Sequence, residues 1–238
     1  MKIALAQVNP TVGDIRGNEE IILTYTQRAR ESGAKLIIFP ELALTGYPPR
    51  DLLELPYFID ANISALNRLK STFTDIAGII GFVDRNPSPS GKGLFNAAAL
   101  IEDQEIASIH YKTLLPTYDV FDEDRYFEPA AGNNPVRFQD VRLAITICED
   151  IWTDEICGPP KPYHRDPIQE MVRRRFNLII NLAASPYFIG KDSLRKELLR
   201  NLALRYKVPV LFCNQCGGND ELVFDGNSMA LGQDGNIF

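Results

Sequence analysis

The chain is poor in histidine: His110 and His164 are the only two in 238 residues. Neither carries a motif around it, so the usual helper of a nucleophilic thiol is missing and a zinc site would lack half its common donors. Basic excess is missing as well. Lys and Arg number 25 against 31 Asp and Glu, the formal net charge is -6 and the sequence pI is about 5.1, which excludes the basic face that nucleic acid or an anionic membrane requires. Arg173-Arg174-Arg175 is the one basic cluster and reads as a solvated helix end, where cations suit the helix dipole. No run reaches the roughly 18 apolar residues that span a bilayer. The first residues enter a strand at once, with no apolar segment and cleavage site, so neither export nor a membrane partner is expected and the four cysteines point to a reducing, cytoplasmic setting. Cys213 and Cys216 have CxxC spacing, but a single such pair reads as a strand end packing two small side chains, and no metal is expected. Linkers, repeats and low-complexity segments are also lacking, which makes 1–238 one domain.

What is present is a strand, helix, strand rhythm followed by a cluster of strands. Lys2 to Val8 reads as a strand, Asn18 to Ser32 as a helix with Ile21, Tyr25 and Ala29 at helical spacing, and Lys35 to Phe39 as a second buried strand. That grammar belongs to an α/β layer fold. A helix over Phe58 to Phe73 precedes strand-like runs at Ala77–Val83, Leu94–Ile101 and Ile106–Tyr111, separated by turn residues in the manner of an antiparallel meander. Residues 112 to 134 show no period yet hold many aromatic and acidic side chains; a loop this long in a compact domain is usually functional. Asp166-Pro167-Ile168-Gln169 is a helix start. Strands at Asn177–Leu182 and Pro209–Cys213 flank a helix with Leu194, Leu198, Leu202 and Tyr206 on one side and Arg195, Glu197, Arg200 and Arg205 on others. The chain ends on a strand and hairpin at Met229–Asn236, with Ile237-Phe238 beginning another strand.

The chemistry centres on Leu143-Ala144-Ile145-Thr146-Ile147-Cys148-Glu149-Asp150, an apolar run that switches abruptly to a thiol and two carboxylates. By itself Cys148 is more often a small core residue than a nucleophile. Two other buried strands also end on reactive groups, Lys35 to Phe39 on Pro40-Glu41 and Ile106 to Tyr111 on Lys112. If the strands are neighbours, three such side chains meet on one rim of a sheet, and a carboxylate base with a lysine replaces the missing histidine.

Phe39-Pro40-Glu41-Leu42, Tyr111-Lys112-Thr113-Leu114-Leu115-Pro116, Phe121-Asp122-Glu123-Asp124-Arg125-Tyr126-Phe127 and Ile147-Cys148-Glu149-Asp150-Ile151-Trp152 together resemble the nitrilase, or carbon–nitrogen hydrolase, superfamily. More narrowly, with residues 47–53, 181–187 and 214–226, they are similar to the N-terminal glutaminase domains of glutamine-dependent NAD synthetases. The resemblance covers nearly the whole chain and implies a four-layer α-β-β-α sandwich. It implies Glu41 as general base, Lys112 as cationic stabiliser and Cys148 as nucleophile, with Glu123 orienting Lys112 or the bound amide and the backbone N–H of Glu149 completing an oxyanion site. Tyr118, Ser185 and Lys191 are implied as contacts to the amino-acid end of L-glutamine, and Tyr47 as a pocket wall. Family members associate, so a homo-oligomer is expected. The domain needs no cofactor of its own; ATP and Mg belong to a synthetase domain of the same polypeptide, whose phosphate loop this sequence does not contain, so the chain is expected to be a truncated glutaminase domain. A freestanding amidase or carbamoylase of the superfamily and an inactive scaffold are the other readings.

Overall fold

The computed structural model describes residues 1–153 and 163–238. Two five-stranded sheets face each other. The first contains β1 (Ile3–Leu5), β2 (Leu36–Ile38), β3 (Ala77–Arg85), β4 (Leu94–Glu102) and β5 (Glu105–Tyr111), side by side in chain order. β1, β2 and β3 run parallel. A parallel pair needs a crossover, and α1 (Ile15–Glu31) and α2 (Pro56–Leu69) supply the two connections. β3, β4 and β5 form the expected antiparallel meander. In the second sheet the order is β12 (Met229–Leu231), β9 (Val210–Asn214), β8 (Leu178–Ala183), β7 (Val141–Ile147), β6 (Val136–Phe138). Its three central strands are parallel, connected through α3 (Pro167–Val172) and α4 (Lys191–Tyr206), while both edge strands pair antiparallel. A separate hairpin, β10 (Cys216–Asn219) with β11 (Leu222–Asp225), completes the elements.

Strand alternation divides the core. Leu36 and Ile38 of β2, with Ile79 and Leu100, pack against Leu143, Ile145 and Ile147 of the second sheet. Ile37, Ile80 and Phe82, with successive residues on opposite faces, pack instead against Ile22, Phe58 and Leu66 of the helices. Met171, Leu198 and Leu202 bring α3 and α4 to the second sheet, giving the α-β-β-α order. Each fully buried aliphatic side chain contributes about 1.5–3 kcal/mol.

Several elements depart from the sequence-based expectation. α1 begins at Ile15 because the Asp14 side chain accepts from Gly17 N at 2.9 Å and caps it. Its inner face is Ile15, Asn18, Ile22, Thr26 and Ala29, so Ile21 and Tyr25 are only half-buried on its flank. α2 stops at Leu69, and a 3-10 turn over Lys70–Thr72 delivers Phe73 to the core. On α4, Arg195 lies fully buried rather than on a polar face, because Asp225 of β11 accepts from both terminal nitrogens of its guanidinium at 3.2 and 3.1 Å. The Asp166 cap of α3 and the pairing of Leu231 with Ile237 across the last turn are as expected. No helix among the described residues is long and apolar enough to cross a membrane.

Candidate active site

Glu41, Lys112 and Cys148 come from strand ends, but not from one rim. β2 and β5 are separated by β3 and β4, and β7 belongs to the facing sheet. The strand-end signal says where a side chain leaves a strand and nothing about which sheet holds it. Gly81 of β3 closes the gap. A Cβ there would lie 2.4 Å from Leu42 N and from Pro40 O, so only glycine lets the Pro40–Leu42 segment cross β3. Leu44 N donates to Gly81 O at 3.2 Å and fixes the crossing. Glu41 thereby reaches Asn96 of β4 and Lys112 after β5.

Lys112 Nζ donates to Glu41 Oε1 and to Glu123 Oε1, both at 2.7 Å. All three side chains are buried, Lys112 to 1% exposure and Glu41 to 0%. Asn96 Nδ2 bridges the same carboxylates, at 2.7 Å to Glu41 Oε1 and 3.3 Å to Glu123 Oε2. Ala184 N donates to Glu41 Oε2 at 3.0 Å, and the Tyr47 hydroxyl to Glu123 Oε1 at 2.8 Å. Burial alone would lower the Lys112 pKa, but Glu123 and Glu41 outweigh it and hold the ammonium well above its ordinary value. Burial, with Glu41 adding, pushes Glu123 up to about 7 against the pull of Lys112. The Tyr47 hydroxyl is raised by burial and then by Glu123.

Cys148 opens a 3-10 turn, Cys148–Ile151, with φ of +41°, a left-handed conformation uncommon outside glycine. Such a turn does not itself use its leading N–H groups; the Glu149 N–H is the one next to the thiol. Asp150 staples the turn to the lysine loop: Oδ1 accepts from Thr113 N and Leu114 N, both at 2.9 Å, and Oδ2 from Ile147 N at 3.0 Å. Burial lifts Asp150 to about 6 despite these three donors. The Cys148 thiol is held well above its ordinary value by burial and then by Glu41, with Lys112 pulling the other way. It therefore rests as a neutral thiol, and any nucleophilic use of its sulfur requires a base to take the proton.

Tyr118 and Ser185 meet residues adjoining this cluster, and Lys191 approaches it through Trp152. The Tyr118 hydroxyl donates to Glu149 Oε1 and Oε2 at 2.8 and 3.0 Å, which gives the Glu149 side chain a contact that its backbone role did not suggest. Ser185 follows Ala184, the residue donating to Glu41, and its own N–H donates to Asn214 Oδ1 at 2.9 Å. Lys191 Nζ lies 4.0 Å above the Trp152 ring centre, at the end of the Cys148 turn, and 4.9 Å from that of Phe188. Tyr47 lines a cavity of about 300 Å³ together with Glu123, Leu53, Phe127 and Leu222; neither Lys112 nor Cys148 reaches that cavity. His110 sits on β5, 3.0 Å from the Ser108 hydroxyl, and burial depresses it to about 4.

Sequence reasoning missed Asn96, Asp150 and Gly81. Asn96 carried a signal as the one polar residue between Phe95 and the apolar run to Ile101. Asp150 carried a weaker one, as a second carboxylate immediately after a buried strand.

A four-layer α/β sandwich with a thiol, a carboxylate and an ammonium at its strand ends has the layout of a hydrolase that works through a thioester. Residues 2–238 match the family described as carbon-nitrogen hydrolase, and the chain belongs to that family. It is 44% identical to a glutamine-dependent NAD(+) synthetase of Synechocystis, over 99% of this chain and 43% of that protein. A Thermotoga maritima protein of the same name is 39% identical over 100% of this chain and 39% of its own length. Among solved structures, the glutamine-dependent NAD+ synthetase of Acinetobacter baumannii in complex with ADP superposes with a TM-score of 0.88 at 33% identity, covering 99% of this chain and 42% of that one. An amidase from Nesterenkonia sp. shares the fold, with a TM-score of 0.81 at 24% identity over 100% of this chain and 84% of that one. The chain thus spans about two fifths of the length of the curated relatives it matches.

Proposed function

We propose that this chain hydrolyses L-glutamine to glutamate and ammonia through a Cys148 thioester, and that the ammonia serves ATP-dependent amidation of deamido-NAD in a synthetase part of the same polypeptide. The observation that carries the reading is the Lys112 ammonium held 2.7 Å from both Glu41 and Glu123 beside the neutral thiol, in a chain whose relatives are named for glutamine-dependent NAD synthesis. Glu41 takes the Cys148 proton as sulfur bonds to the amide carbon, and the oxyanion falls between Lys112 and the Glu149 N–H. A single such donor typically contributes ~3 kcal/mol. Glu41 then gives the proton to the departing nitrogen, which leaves as ammonia with the thioester in place. The same carboxylate draws a proton from water as the water oxygen attacks the thioester carbonyl, and returns it to the thiolate as glutamate leaves.

Glu123 keeps Lys112 in place, with Tyr47 holding Glu123. Lys191 is assigned to the α-carboxylate of the substrate, and Ser185 and Tyr118 to its polar end, since a zwitterion in a cleft requires partners for both charges. ATP and Mg are assigned to the part of the relatives that this chain does not span: Gly217–Asp220 forms the end of β10 and its hairpin turn, not a loop before a helix, so it offers no phosphate cradle. Association with further copies and a cytoplasmic setting belong to the same proposal; light scattering after size exclusion tests the first.

Cys148→Ala is expected to abolish ammonia release from glutamine while circular dichroism and the urea midpoint stay unchanged. Undiminished release from that variant overturns the mechanism. Turnover of glutamine against aliphatic amides and N-carbamoyl amino acids separates the glutaminase from an amidase or carbamoylase.

A further inference from the structure

Two contacts assigned to the amino-acid end of the substrate, Ser185 and Lys191, lie on different elements, yet both are held from one short turn. This turn, Asp225-Gly226-Asn227-Ser228, follows β11 and contains two consecutive left-handed residues, Gly226 at φ +65° and Asn227 at φ +52°. Lys191 opens α4, and Arg195 stands one helical turn further along, where i and i+4 share a face. Arg195 is fully buried, and its guanidinium donates from Nη2 to Asp225 Oδ1 at 3.1 Å and from Nη1 to Asp225 Oδ2 at 3.2 Å. Its Nε has no hydrogen-bond partner among the described residues, so Asp225 supplies its hydrogen bonds while the guanidinium lies 5.3 Å from the Phe212 ring centre. Asn227 Nδ2 holds Asp225 Oδ2 in turn, at 2.8 Å.

Ser185 is reached from the next residue of the turn. Gly226 O accepts from Asn214 Nδ2 at 2.8 Å, and Asn214 Oδ1 accepts from Ser185 N at 2.9 Å. The Ser228 hydroxyl brackets Asn214, accepting from its N at 3.0 Å and donating to its O at 3.2 Å. Tyr187 N donates to Val223 O at 2.7 Å, so the loop between Ser185 and Lys191 is also tied to β11. The turn itself is seated by the N-terminal segment, with Ser228 N donating to Gln7 Oε1 at 3.0 Å; a Cβ on Gly226 would lie 2.4 Å from the Gln7 amide.

We infer that Asp225 and Asn214 are positioning residues for substrate recognition: Asp225 sets Lys191 through Arg195, Asn214 sets Ser185, and together they fix the spacing of the groups that receive the amino-acid end. This rests on the glutaminase reading above. Neither residue hydrogen-bonds to Glu41, Lys112 or Glu123; Asn214 comes nearest, holding Ser185 next to the Ala184 N–H that donates to Glu41 Oε2. Loosening Asp225 in particular therefore weakens recognition of the substrate while the thiol chemistry continues.

The test uses the chain with Asp225→Asn and with Asn214→Leu, followed by labelling of Cys148 and by steady-state glutamine hydrolysis. Two reagents are compared, iodoacetamide, which needs only the thiol, and 6-diazo-5-oxo-L-norleucine, which carries the amino-acid end. Each variant is expected to raise KM for glutamine about tenfold, or about 1.4 kcal/mol, with kcat lowered no more than about threefold, and to slow labelling by the diazo reagent about tenfold while iodoacetamide labelling keeps its wild-type rate. An unchanged KM and an unchanged ratio of the two labelling rates overturn the proposal, as does a parallel loss with both reagents, which signals general loosening. Should Asp225→Asn fail to fold because Arg195 is left with a buried unpaired charge, Arg195→Met/Asp225→Leu removes both charges and is judged by the same ratio. Failure of the underlying glutaminase reading looks different: there the wild-type protein itself shows no preference for glutamine over simple amides.

Discussion

Replacing Lys112 by Met removes the ammonium and keeps most of the side-chain volume. The two 2.7 Å contacts are each worth about 6 kcal/mol by Coulomb's law at an effective dielectric near 20. Burying three charged groups consumes most of that, and removing one partner of such a cluster costs about 3–5 kcal/mol. What remains after the substitution is two buried carboxylates sharing the Asn96 amide. The cost therefore depends on pH. Glu123 has a folded pKa of about 7, raised by burial first, so its contribution to stability is full below about 4.5, its ordinary value, and is lost as pH rises through 7. Without Lys112, which lowers it, Glu123 moves up further and is already protonated at pH 6, which relieves the repulsion there. The penalty of Lys112→Met is thus smallest at pH 6 and largest at pH 9. Urea unfolding followed by circular dichroism at pH 6, 7.5 and 9, for wild type, Lys112→Met, Glu123→Gln and the double variant, measures it. Glu123→Gln in the Lys112→Met background is expected to recover at least about 1 kcal/mol at pH 9. Additivity within ~0.5 kcal/mol, or a penalty independent of pH, refutes the three-group cluster. At each pH where the urea curve shows Lys112→Met folded, loss of kcat by about 100-fold or more can be read as loss of oxyanion stabilisation.

Three further outcomes follow. His110, depressed to about 4 by burial, contributes stability above pH 6.5 that is lost as pH falls through 4; relative to His110→Gln, the wild type should lose about 2–3 kcal/mol between pH 7.5 and 4.5, and parallel stability curves would contradict it. The difference between variants is the quantity to measure, because Glu123 and Asp150, both raised, gain protons in the same range with the opposite sign. Asp150→Ala orphans three buried N–H groups and should cost at least about 3 kcal/mol in urea unfolding, with a fall in kcat as the Cys148 turn separates from the lysine loop. Gly81→Ala places a methyl 2.4 Å from the backbone on both sides of Glu41; kcat is expected to fall at least about tenfold, and full activity in that variant would mean that Glu41 is not positioned by the crossing.

Strand ends were the legible part of this sequence. An apolar run that stops on Cys148, Glu41 or Lys112 states where a reactive side chain leaves a buried strand, and all three emerge there. Which sheet each strand joins was not legible, since pairing is a long-range choice and nothing local separates β2 of the first sheet from β7 of the second. Gly81 is where that choice becomes local; it is one of two glycines inside β3, with Gly78, and a glycine within a strand signals close approach of another group without saying which. The helix α1 face was misread by one position because Ile21, Ile22 and Tyr25 permit two phases of a 3.6-residue repeat. The packing of Thr26, with Asn18, settles the phase. Arg195 was misplaced for a related reason: a charged side chain counts as polar in any periodicity, and its partner Asp225 is 30 positions away. Asp150 was hidden in plain view, because a carboxylate that accepts three backbone N–H groups looks in sequence like one that faces water.

The charge arrangement has a consequence for selectivity. A thiol activated by a histidine or a helix end stands partly as thiolate and reacts with whatever reaches it. Here Glu41, Glu149 and Glu123 all add to burial in keeping Cys148 protonated, and among the described residues Lys112 opposes them, with its ammonium already engaged by two carboxylates. On the mechanism proposed above, the nucleophile is produced only as Glu41 accepts the proton, and that transfer is favourable only when the developing oxyanion meets Lys112 and draws it from the carboxylates. On that mechanism amide binding and thiol activation are a single event, which accounts for a buried, resting cluster that keeps its sulfur protonated.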